Sequence, residues 1–356
     1  MFGLIDYDEI HGKEEDYILV DVRSESEFAE ETITGAINIP ILKDREREIV
    51  GTTYVRENTE IAKKQGIEFA AQRLPIIFEE LQELIRKNHG KKLVIFCARG
   101  GMRSGSVWGL LNGLGIRALK LKGGYKYYRA FVTKKLEEYS KDIKFIVLYG
   151  NTGIGKTEML FKLRDDGYDV LDLEGAANHR GSVLGGVGLG KIYSQKKFET
   201  LMYDQLKNRK TNLVFTEGES RRIYKVIIPE NLWSILQSGE KIYITADLES
   251  RAERLVKEYT SFENVKEEIL TALEGIKKHA SEENYEKYRA LTIEGDYKTV
   301  AMEMMEKYYD PKYNHGSNRE EVRARFHANE AGEACVKLKV IYEEVKNELE
   351  KGNIEK

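Results

Sequence analysis

Phe145-Ile-Val-Leu-Tyr-Gly-Asn-Thr-Gly-Ile-Gly-Lys-Thr157 decides how the second half of this chain folds. Its first five residues form an apolar run, which is typical of a buried β-strand. The strand leads into Gly150-x-x-x-x-Gly155-Lys156-Thr157, the spacing of a phosphate-binding P-loop, and a helical pattern follows. A strand, this loop and a helix in that order predict a P-loop domain of the α/β class.

Each residue type in the motif suits a bound phosphate. Gly150, Gly153 and Gly155 allow the backbone to wrap closely, so that successive N–H groups point at one anion. Lys156 adds a positive charge for the terminal phosphate, and the hydroxyl of Thr157 is a candidate ligand for Mg²⁺. The motif predicts a diphosphate or triphosphate and leaves the rest of the ligand open.

Composition limits the class of protein. The chain has 356 residues, is 41% hydrophobic and 33% charged, and carries a net charge of -3, so two folded domains are expected and a globally basic nucleic-acid binder is not. The two cysteines, Cys97 and Cys335, are too few for a disulfide framework or a four-cysteine zinc site. The sequence has no apolar run of membrane-spanning length and no signal peptide, so we expect a cytoplasmic protein with no membrane partner.

Short apolar runs alternate with helical patterns along the chain. This alternation predicts a parallel sheet covered by helices in each domain. We expect four segments: a parallel-sheet domain at 1–130, a helical connector at 131–142, a P-loop core at 143–246, and a mainly helical region at 247–356. The expected strands are 17–22, 92–96, 118–121, 145–149, 168–173, 212–216 and 241–245, and the expected late helices are 250–259, 265–280, 300–308 and 319–351.

A second anion-binding loop is expected at Cys97-Ala-Arg-Gly-Gly-Met-Arg103-Ser104, between a strand and a helix. Its two glycines free the backbone, and Arg99 and Arg103 add positive charge. Such surroundings favour a thiolate, which is the nucleophilic form of cysteine. Cys97, Arg99 and Arg103 are therefore candidate catalytic residues.

The N-terminal segment resembles a rhodanese domain. The resemblance rests on Asp21-Val-Arg23, Glu27-Phe28, the segment 33–40 and the cysteine loop, and it implies a cysteine that carries and transfers sulfur. Arg103 stands six residues after Cys97, one more than in the common rhodanese loop and as in cysteine phosphatases, whereas Phe96 replaces the histidine that phosphatases have. We expect a loop shaped for a chalcogen joined to phosphate.

Polar residues at the ends of the later strands complete the candidate P-loop site. Four carboxylates there could hold Mg²⁺ or act as a general base. They are Asp172, Glu174, Glu217 and Glu219, and the nearby candidates are His179, Arg180, Arg221 and Arg222. The segment 181–190 has five glycines and is interpreted either as a lid over an apolar ligand or as a surface loop.

Taken together, these motifs resemble the tRNA 2-selenouridine synthase family. The ordered set spans about residues 5–230 and includes Gly123-Gly-Tyr-Lys126 and the run Asp172-Leu-Glu-Gly-Ala-Ala-Asn-His-Arg-Gly-Ser182, but it departs from the family around 184–195. The resemblance implies replacement of sulfur by selenium in 2-thiouridine at the tRNA wobble position, through an S-geranyl intermediate. It implies selenophosphate and geranyl diphosphate as co-substrates, tRNA as the partner, and a selenophosphate-producing enzyme as a further candidate partner.

RNA binding by an acidic chain needs a local basic surface. The candidates are Lys120, Lys122, Lys126, Arg129, Lys134, Lys135, Arg319, Arg323 and Arg325. Two other functions stay open from the sequence: a rhodanese sulfurtransferase coupled to an ATP-dependent P-loop kinase, and a non-catalytic, nucleotide-switched module that binds RNA.

Overall fold

The computed structural model describes residues 3–182, 184–260, 262–277, 280–311 and 321–354, with side chains up to 351. The chain divides into two compact units, Met1–Lys135 and Leu136–Lys356. In the described part of the chain, no helix combines the length and the apolar character needed to cross a membrane.

The first unit contains a five-stranded sheet in which every pair of neighbours is parallel. Its strands are β1 (Leu4–Ile5), β2 (Tyr17–Asp21), β3 (Ile37–Asn38), β4 (Lys92–Phe96) and β5 (Ala118–Leu121). The spatial order is β1-β5-β4-β2-β3, so β4 is central and its carboxyl end delivers the chain to Cys97. This is the edge of a parallel sheet at which ligands generally bind.

Helices cover the sheet of the first unit. They are α1 (Tyr7–Ile10), α2 (Glu25–Glu30), α3 (Asp44–Arg56), α4 (Thr59–Lys87), α5 (Met102–Gly113) and α6 (Gly124–Tyr139). The buried core joins Val20 and Ile95 of the sheet to Ile77 of α4 and Val107 of α5. Cys97 belongs to the same core, which fixes the position of its backbone.

The second unit contains another parallel five-stranded sheet and a small antiparallel hairpin. The sheet strands are β6 (Lys144–Tyr149), β7 (Val170–Leu171), β8 (Leu213–Glu217), β11 (Glu240–Thr245) and β12 (Ala324–His327), and the hairpin strands are β9 (Arg222–Ile223) and β10 (Val226–Ile227). The sheet order is β12-β11-β6-β8-β7. β6 is therefore central, and the P-loop begins at its carboxyl end.

Helices pack on this sheet and form a second apolar cluster beside it. They are α7 (Lys156–Asp165), α8 (Leu173–Ala177), α9 (Gln195–Lys207), α10 (Glu230–Gln237), α11 (Leu248–Tyr259), α12 (Val265–Leu273), α13 (Glu282–Glu294), α14 (Tyr297–Met304) and α15 (Ala331–Ile354). Ile146 and Phe215 pack with Leu338 of α15 in the sheet core, whereas Ile269 and Met304 belong to the helical cluster.

The α/β class predicted from the sequence is confirmed, with one parallel sheet in each unit. The prediction of a continuous helix over 319–351 is wrong, because Ala324–His327 forms β12 and pairs with β11, while residues 319 and 320 lie outside the described residues. The strand expected at 168–173 shortens to Val170–Leu171, since Asp172 caps α8. The segment boundaries stay predictions; α6 covers most of the expected connector, and residues on both sides of 246 contribute strands to one sheet.

Candidate functional site

A second glycine turn, at Gly123 and Gly124, holds the Cys97 loop in place. The amides of Tyr125 and Lys126 donate to the carbonyls of Cys97 and Ala98, each at 2.9 Å. Gly124 has a φ of 59°, and a Cβ there would lie 2.2 Å from the Cys97 carbonyl oxygen, so only glycine fits. The Cys97 Sγ lies 3.2 Å from the Ser104 Oγ, at the start of α5. The predicted nucleophile is therefore buried and fixed in a rigid loop.

Arg103 makes a two-pronged ion pair with Glu27 of α2. Its Nη1 and Nη2 donate to the two carboxylate oxygens at 2.5 and 3.2 Å. Burial acts to raise the pKa of Glu27, but the hydrogen bonds and charge of Arg103 outweigh it and the pKa is lowered. Arg103 is thus positioned beside the loop with its charge balanced, whereas Arg99 is exposed.

The Asp21-Val-Arg23 motif is structural. Arg23 and Asp21 form a buried ion pair with a nitrogen–oxygen distance of 2.7 Å, and Thr32 donates to the same carboxylate. The Arg23 guanidinium lies 4.4 Å from the ring centroid of Tyr125, which follows the second glycine turn. The motif therefore stabilises the cysteine loop indirectly, through the contact of Arg23 with Tyr125, and its two charges pair with each other.

The P-loop wraps between β6 and α7. Gly155 begins α7 with a φ of 83°, and a Cβ on Gly150 would lie 2.5 Å from the carbonyl oxygen of Ile244, so both positions require glycine. A Cβ on Gly153 would likewise meet the carbonyl oxygen of Arg251 at 2.9 Å. The loop between β6 and α7 is where the sequence predicts an anion-binding cradle of backbone amides, and the start of a helix is favourable for an anion.

Lys156 and Thr157 lie at the start of α7. The Lys156 Nζ is 3.4 Å from the Gly150 carbonyl oxygen, so the side chain folds back along the loop. The Thr157 hydroxyl donates to the Glu174 carboxylate at 3.2 Å. Both side chains and Glu174 line a cleft of about 420 Å³.

Two arginines of α11 were missed by the sequence reasoning. Arg251 donates from Nε to the Thr152 carbonyl at 2.9 Å and pairs with Asp310. Arg254 donates to the Gly153 carbonyl at 2.5 Å and lines the P-loop cleft. The only sequence signal was their i, i+3 spacing, which places two cations on one helix face.

Four buried or half-buried carboxylates converge beside the P-loop. Glu217 accepts from the Glu174 amide at 2.7 Å, and its Oε2 has no hydrogen-bond partner among the described residues. Asp172 accepts from the Gly175 amide and caps α8. The carboxyls of Glu174 and Glu219 hydrogen-bond each other. The structure therefore brings these four candidate residues together beside the P-loop, and their roles stay predictions.

Burial raises the pKa of all four carboxyls. For Glu174 the pKa rises to about 8, first because of burial and then because of the neighbouring charge of Glu219. Burial is also the largest cause for Asp172, Glu217 and Glu219. Among the described residues, no group of three or more His, Cys, Asp or Glu is arranged to hold a metal by itself. A Mg²⁺ at Thr157 and Glu174 would therefore take its remaining ligands from phosphate and water.

The remaining predicted residues separate into two places. Arg180 lines the P-loop cleft, pairs with Glu258 and lies over the ring of Tyr259 at 4.8 Å. His179 stacks on Tyr224, at the tip of the hairpin β9–β10. Arg221 and Arg222 lie exposed on that hairpin, and Arg221 pairs with Glu230.

An apolar pocket adjoins the P-loop cleft. Thr152, Ser182, Leu255 and Tyr259 line both spaces, so the two are contiguous. The free volume of the apolar pocket is about 50 Å³, and burial raises the pKa of Tyr259 to about 12, so its phenol stays neutral. The remaining lining residues are Leu184, Val256, Ile269, Tyr297, Val300, Ala301, Met304, Met305 and Tyr309. An anion cradle next to an apolar pocket suits an amphiphilic phosphate ester.

The first unit also has an apolar cleft beside the Cys97 loop, which is its predicted anion-binding loop. A cleft of about 650 Å³ lies between the α3–α4 hairpin and α5. Met102 and Arg103 of the cysteine loop line one side, and α4 contributes Gly66, Ile67 and Ala70. The α3–α4 hairpin therefore supplies an apolar wall next to the predicted sulfur or selenium site.

Comparisons with known proteins match two family models to separate parts of the chain. Residues 143–338, more than half of the chain, match the family model described as tRNA 2-selenouridine synthase AAA domain, and residues 7–131 match the rhodanese-like domain. A tRNA 2-selenouridine synthase from Nitrosomonas europaea is 35% identical over 68% of this chain and 63% of its own length. The corresponding protein from Nitrosomonas eutropha is 33% identical over 68% of this chain and 62% of its own. The chain thus spans somewhat under two thirds of these relatives.

One solved structure resembles part of the chain. The N-terminal domain of a protein from Clostridium difficile 630 is 40% identical over 36% of this chain and 98% of its own, with a TM-score of 0.34.

Proposed function

The chain belongs to the tRNA 2-selenouridine synthase family, and from this premise we propose that it replaces the sulfur of a 2-thiouridine base in tRNA with selenium. We propose two half-reactions. Geranyl diphosphate alkylates the sulfur at the P-loop site, and selenophosphate then replaces the alkylated sulfur at the Cys97 site. The wobble uridine is the base on which both steps act.

The observation that carries the first half-reaction is the apolar pocket contiguous with the P-loop cleft. A nucleoside triphosphate would need a polar pocket for its sugar and base, whereas a prenyl diphosphate needs apolar walls next to the phosphate cradle. The free volume of the pocket, about 50 Å³, is smaller than the volume of a ten-carbon chain. The segment that carries Leu184 must therefore shift when the ligand enters. This requirement favours the interpretation of the glycine-rich segment as a lid.

Alkylation makes the later exchange chemically feasible. The sulfur of the base attacks C1 of the prenyl chain, the C1–O bond breaks, and pyrophosphate leaves with the electron pair while the base loses its N3 proton. Lys156, Arg254 and the loop amides would stabilise the charge that develops on the leaving diphosphate. The walls of the apolar pocket would exclude water from C1.

The donor set at the P-loop fits a magnesium ion bound together with a diphosphate. Thr157 and Glu174 would hold it, and three further carboxyls, those of Asp172, Glu217 and Glu219, lie close by with Lys156 as a neighbouring cation. Bound Mg²⁺ would supply charge neutralisation to the diphosphate. The chain's own contribution is to place these two oxygen ligands at the mouth of the cradle.

The second half-reaction suits the first unit. Selenium of selenophosphate bonds to C2 of the base, and the C2–S bond breaks to release geranyl thiolate; water then takes the phosphoryl group. The amides of the Cys97 loop would bind the phosphate part of the donor. The apolar cleft beside Arg103 would receive the geranyl group as it leaves.

Nucleoside analysis of tRNA tests this proposal. Wild-type protein incubated with thiolated tRNA and geranyl diphosphate should form S-geranyl-2-thiouridine, and added selenophosphate should convert it to selenouridine. Lys156→Ala should lower the rate of geranylation about 10²- to 10³-fold, because the departing diphosphate loses its nearest cation. Lys346→Ala, an exposed lysine of α15, is the matched control and should keep the wild-type rate.

Two results would contradict the proposal. One is geranylation at the wild-type rate in Lys156→Ala. The other is ATP hydrolysis with no geranylation in the wild type, which would favour the sulfurtransferase–kinase alternative.

A further inference from the structure

The tip of the hairpin β9–β10 carries an aromatic residue in a conformation that disfavours it. Ile223 pairs with Val226, which leaves Tyr224 and Lys225 as a two-residue connection. Tyr224 has a φ of 50°, in the left-handed region where glycine or asparagine is the usual residue. A tyrosine at this position costs folding free energy, so its side chain requires an explanation outside the fold.

The ring of Tyr224 is supported from one side and accessible. It stacks on His179, with 4.7 Å between ring centroids and 16° between planes, yet 54% of the residue remains exposed. His179 itself is only 3% exposed. Its Nδ1 accepts from the Gly181 amide at 3.2 Å, which fixes the orientation of the imidazole. The two rings form a rigid aromatic surface that ends in solvent.

A cleft of about 720 Å³, with a mostly apolar lining, adjoins this surface. His179 and Tyr224 line one side, and Glu267 and Thr271 of α12 line another, with side-chain oxygens that can accept from a base N–H group. Ser182 lines both this cleft and the P-loop cleft, so a group bound here is a neighbour of the phosphate cradle.

The charges around the ring match a polyanion. Arg222 and Lys225 lie exposed on the same hairpin, whereas Arg221 pairs with Glu230 and Ile223 and Val226 are buried. The Lys225 Nζ lies over the Tyr224 ring, 5.5 Å from its centroid, so a base that stacks on the ring must displace this exposed side chain toward the adjacent phosphates. An exposed aromatic ring with cations on the same hairpin is an arrangement that binds single-stranded nucleic acid, because the ring stacks a base and the cations contact its phosphates.

We propose that Tyr224, backed by His179, is the stacking platform for an unpaired nucleobase of the RNA substrate, with Arg222 and Lys225 contacting the adjacent phosphates. This inference rests on the proposed action on tRNA and assigns part of the RNA surface to the hairpin β9–β10. The base would stack on the exposed part of the tyrosine ring and direct its polar edge toward the cleft that Glu267 and Thr271 line.

Variants of Tyr224 separate a binding role from a structural one. The measurement is the affinity of the full chain for a fluorescent anticodon stem-loop RNA with 2-thiouridine at the wobble position. Tyr224→Ala should weaken binding roughly 5- to 150-fold, the range for loss of one base–aromatic stack, and Tyr224→Phe should retain it. Tyr224→Gly should also weaken binding while its melting temperature stays within about 2 °C of the wild type, since glycine tolerates the positive φ.

Salt dependence distinguishes stacking from phosphate contacts. Arg222→Gln with Lys225→Gln should reduce the slope of log affinity against log salt by about 1 to 2, whereas Tyr224→Ala should leave the slope unchanged. Ile293→Ala, an exposed apolar side chain of α13, is the control and should bind RNA as the wild type does.

The outcomes are distinct. If the wild type binds the stem-loop and the Ala and Gly variants bind within twofold of it, the platform is wrong while the proposed function stands. Loss of ATP binding in these variants, with RNA binding intact, would assign the platform to the base of a free nucleotide and overturn the RNA assignment. A wild type that neither binds nor modifies the RNA would remove the proposed function itself.

Discussion

At the scale of single residues, the proton on Glu174 couples the P-loop site to stability. Its pKa is about 8 in the folded chain against a usual value of 4.5, first because of burial and then because of Glu219. Between these pH values the folded state binds more protons than the unfolded state, so the free energy of unfolding falls as the pH rises through this window. Above pH 8 the loss is complete.

Glu174→Gln should therefore reduce the pH dependence of stability, with the remainder due to Asp172, Glu217 and Glu219, whose pKa values are also raised. Without divalent cations, we expect the variant to gain roughly 2–5 kcal/mol over the wild type between pH 5 and pH 8, because glutamine has no charge to desolvate. The measurement is urea unfolding of the second unit, followed by Trp233 fluorescence in a Trp108→Phe background.

The control for this prediction is Glu286→Gln on the exposed face of α13, which should keep the wild-type pH profile. Equal slopes in the wild type and Glu174→Gln would mean that Glu174 ionises in the folded chain as it does in water.

The residue scale is also where sequence reasoning succeeded and failed for identifiable reasons. The placement of Lys156, Thr157 and Cys97 directly after central strands was predictable because each belongs to a contiguous motif next to an apolar run, whereas their roles stay predictions. The placement of Arg254 was not predictable, since a cation on a charged helix gives no sign that the fold will bring it to the Gly153 carbonyl. The stack of His179 on Tyr224 joins residues 45 positions apart and depends on the hairpin register.

At the scale of elements, β4 and β6 could be predicted because central strands of parallel sheets are continuous apolar runs. β12 could not. Its sequence Ala324-Arg-Phe-His327 has one large apolar residue, and its pairing with β11 joins segments about 80 residues apart. An edge strand tolerates such polar residues because only one of its faces is covered. Arg323, next to it, pairs with Glu348 and Glu240, so its charge is balanced within the unit and it is a weak candidate for RNA contact.

The α3–α4 hairpin gives an element-scale prediction. Gly66 lines the apolar cleft beside Arg103, and a Cβ there would meet only Val50 Cγ1, at an ordinary 3.7 Å. Gly66→Leu should occupy part of the cleft and favour the helix, since leucine has the higher helix propensity. We expect unchanged geranylation. The selenation rate should fall about tenfold, because the added side chain would remove the apolar contacts of about two methylene groups of the substrate.

The matched control is Gly51→Leu on α3, where the added side chain would meet only Arg47 Nη1 at 3.6 Å. It changes helix propensity in the same way and lies outside the residues that line the cleft, so both half-reactions should proceed at the wild-type rate. Wild-type selenation by Gly66→Leu in single-turnover assays on pre-geranylated tRNA would exclude the cleft as the site of the departing alkyl group.

At the scale of the whole molecule, the two units share one arrangement of strand, loop and apolar space, although their loops carry different chemical groups. A central parallel strand ends in a loop that we predict to bind an anion, and an apolar space lies beside that loop. A single phosphoryl or sulfur transfer would need one such site. Two sites, each able to receive an anion and an apolar group, suit a pair of reactions in which the same alkyl chain first joins and then leaves the substrate.

This division of labour predicts the behaviour of Cys97→Ala. Alkylation needs the diphosphate cradle and a sulfur acceptor but no thiolate on the protein, so the variant should still form S-geranyl-2-thiouridine. We propose that delivery of selenium needs the Cys97 thiol, to hold or attack selenophosphate, in addition to the loop amides, so the geranylated base should accumulate and selenouridine should be absent from the nucleoside digest. Lys156→Ala protein, which retains the Cys97 loop, should convert the accumulated tRNA to the selenated form when selenophosphate is added. Should Cys97→Ala stay folded and bind tRNA yet yield neither modified base, the assignment of the two half-reactions to separate sites is wrong.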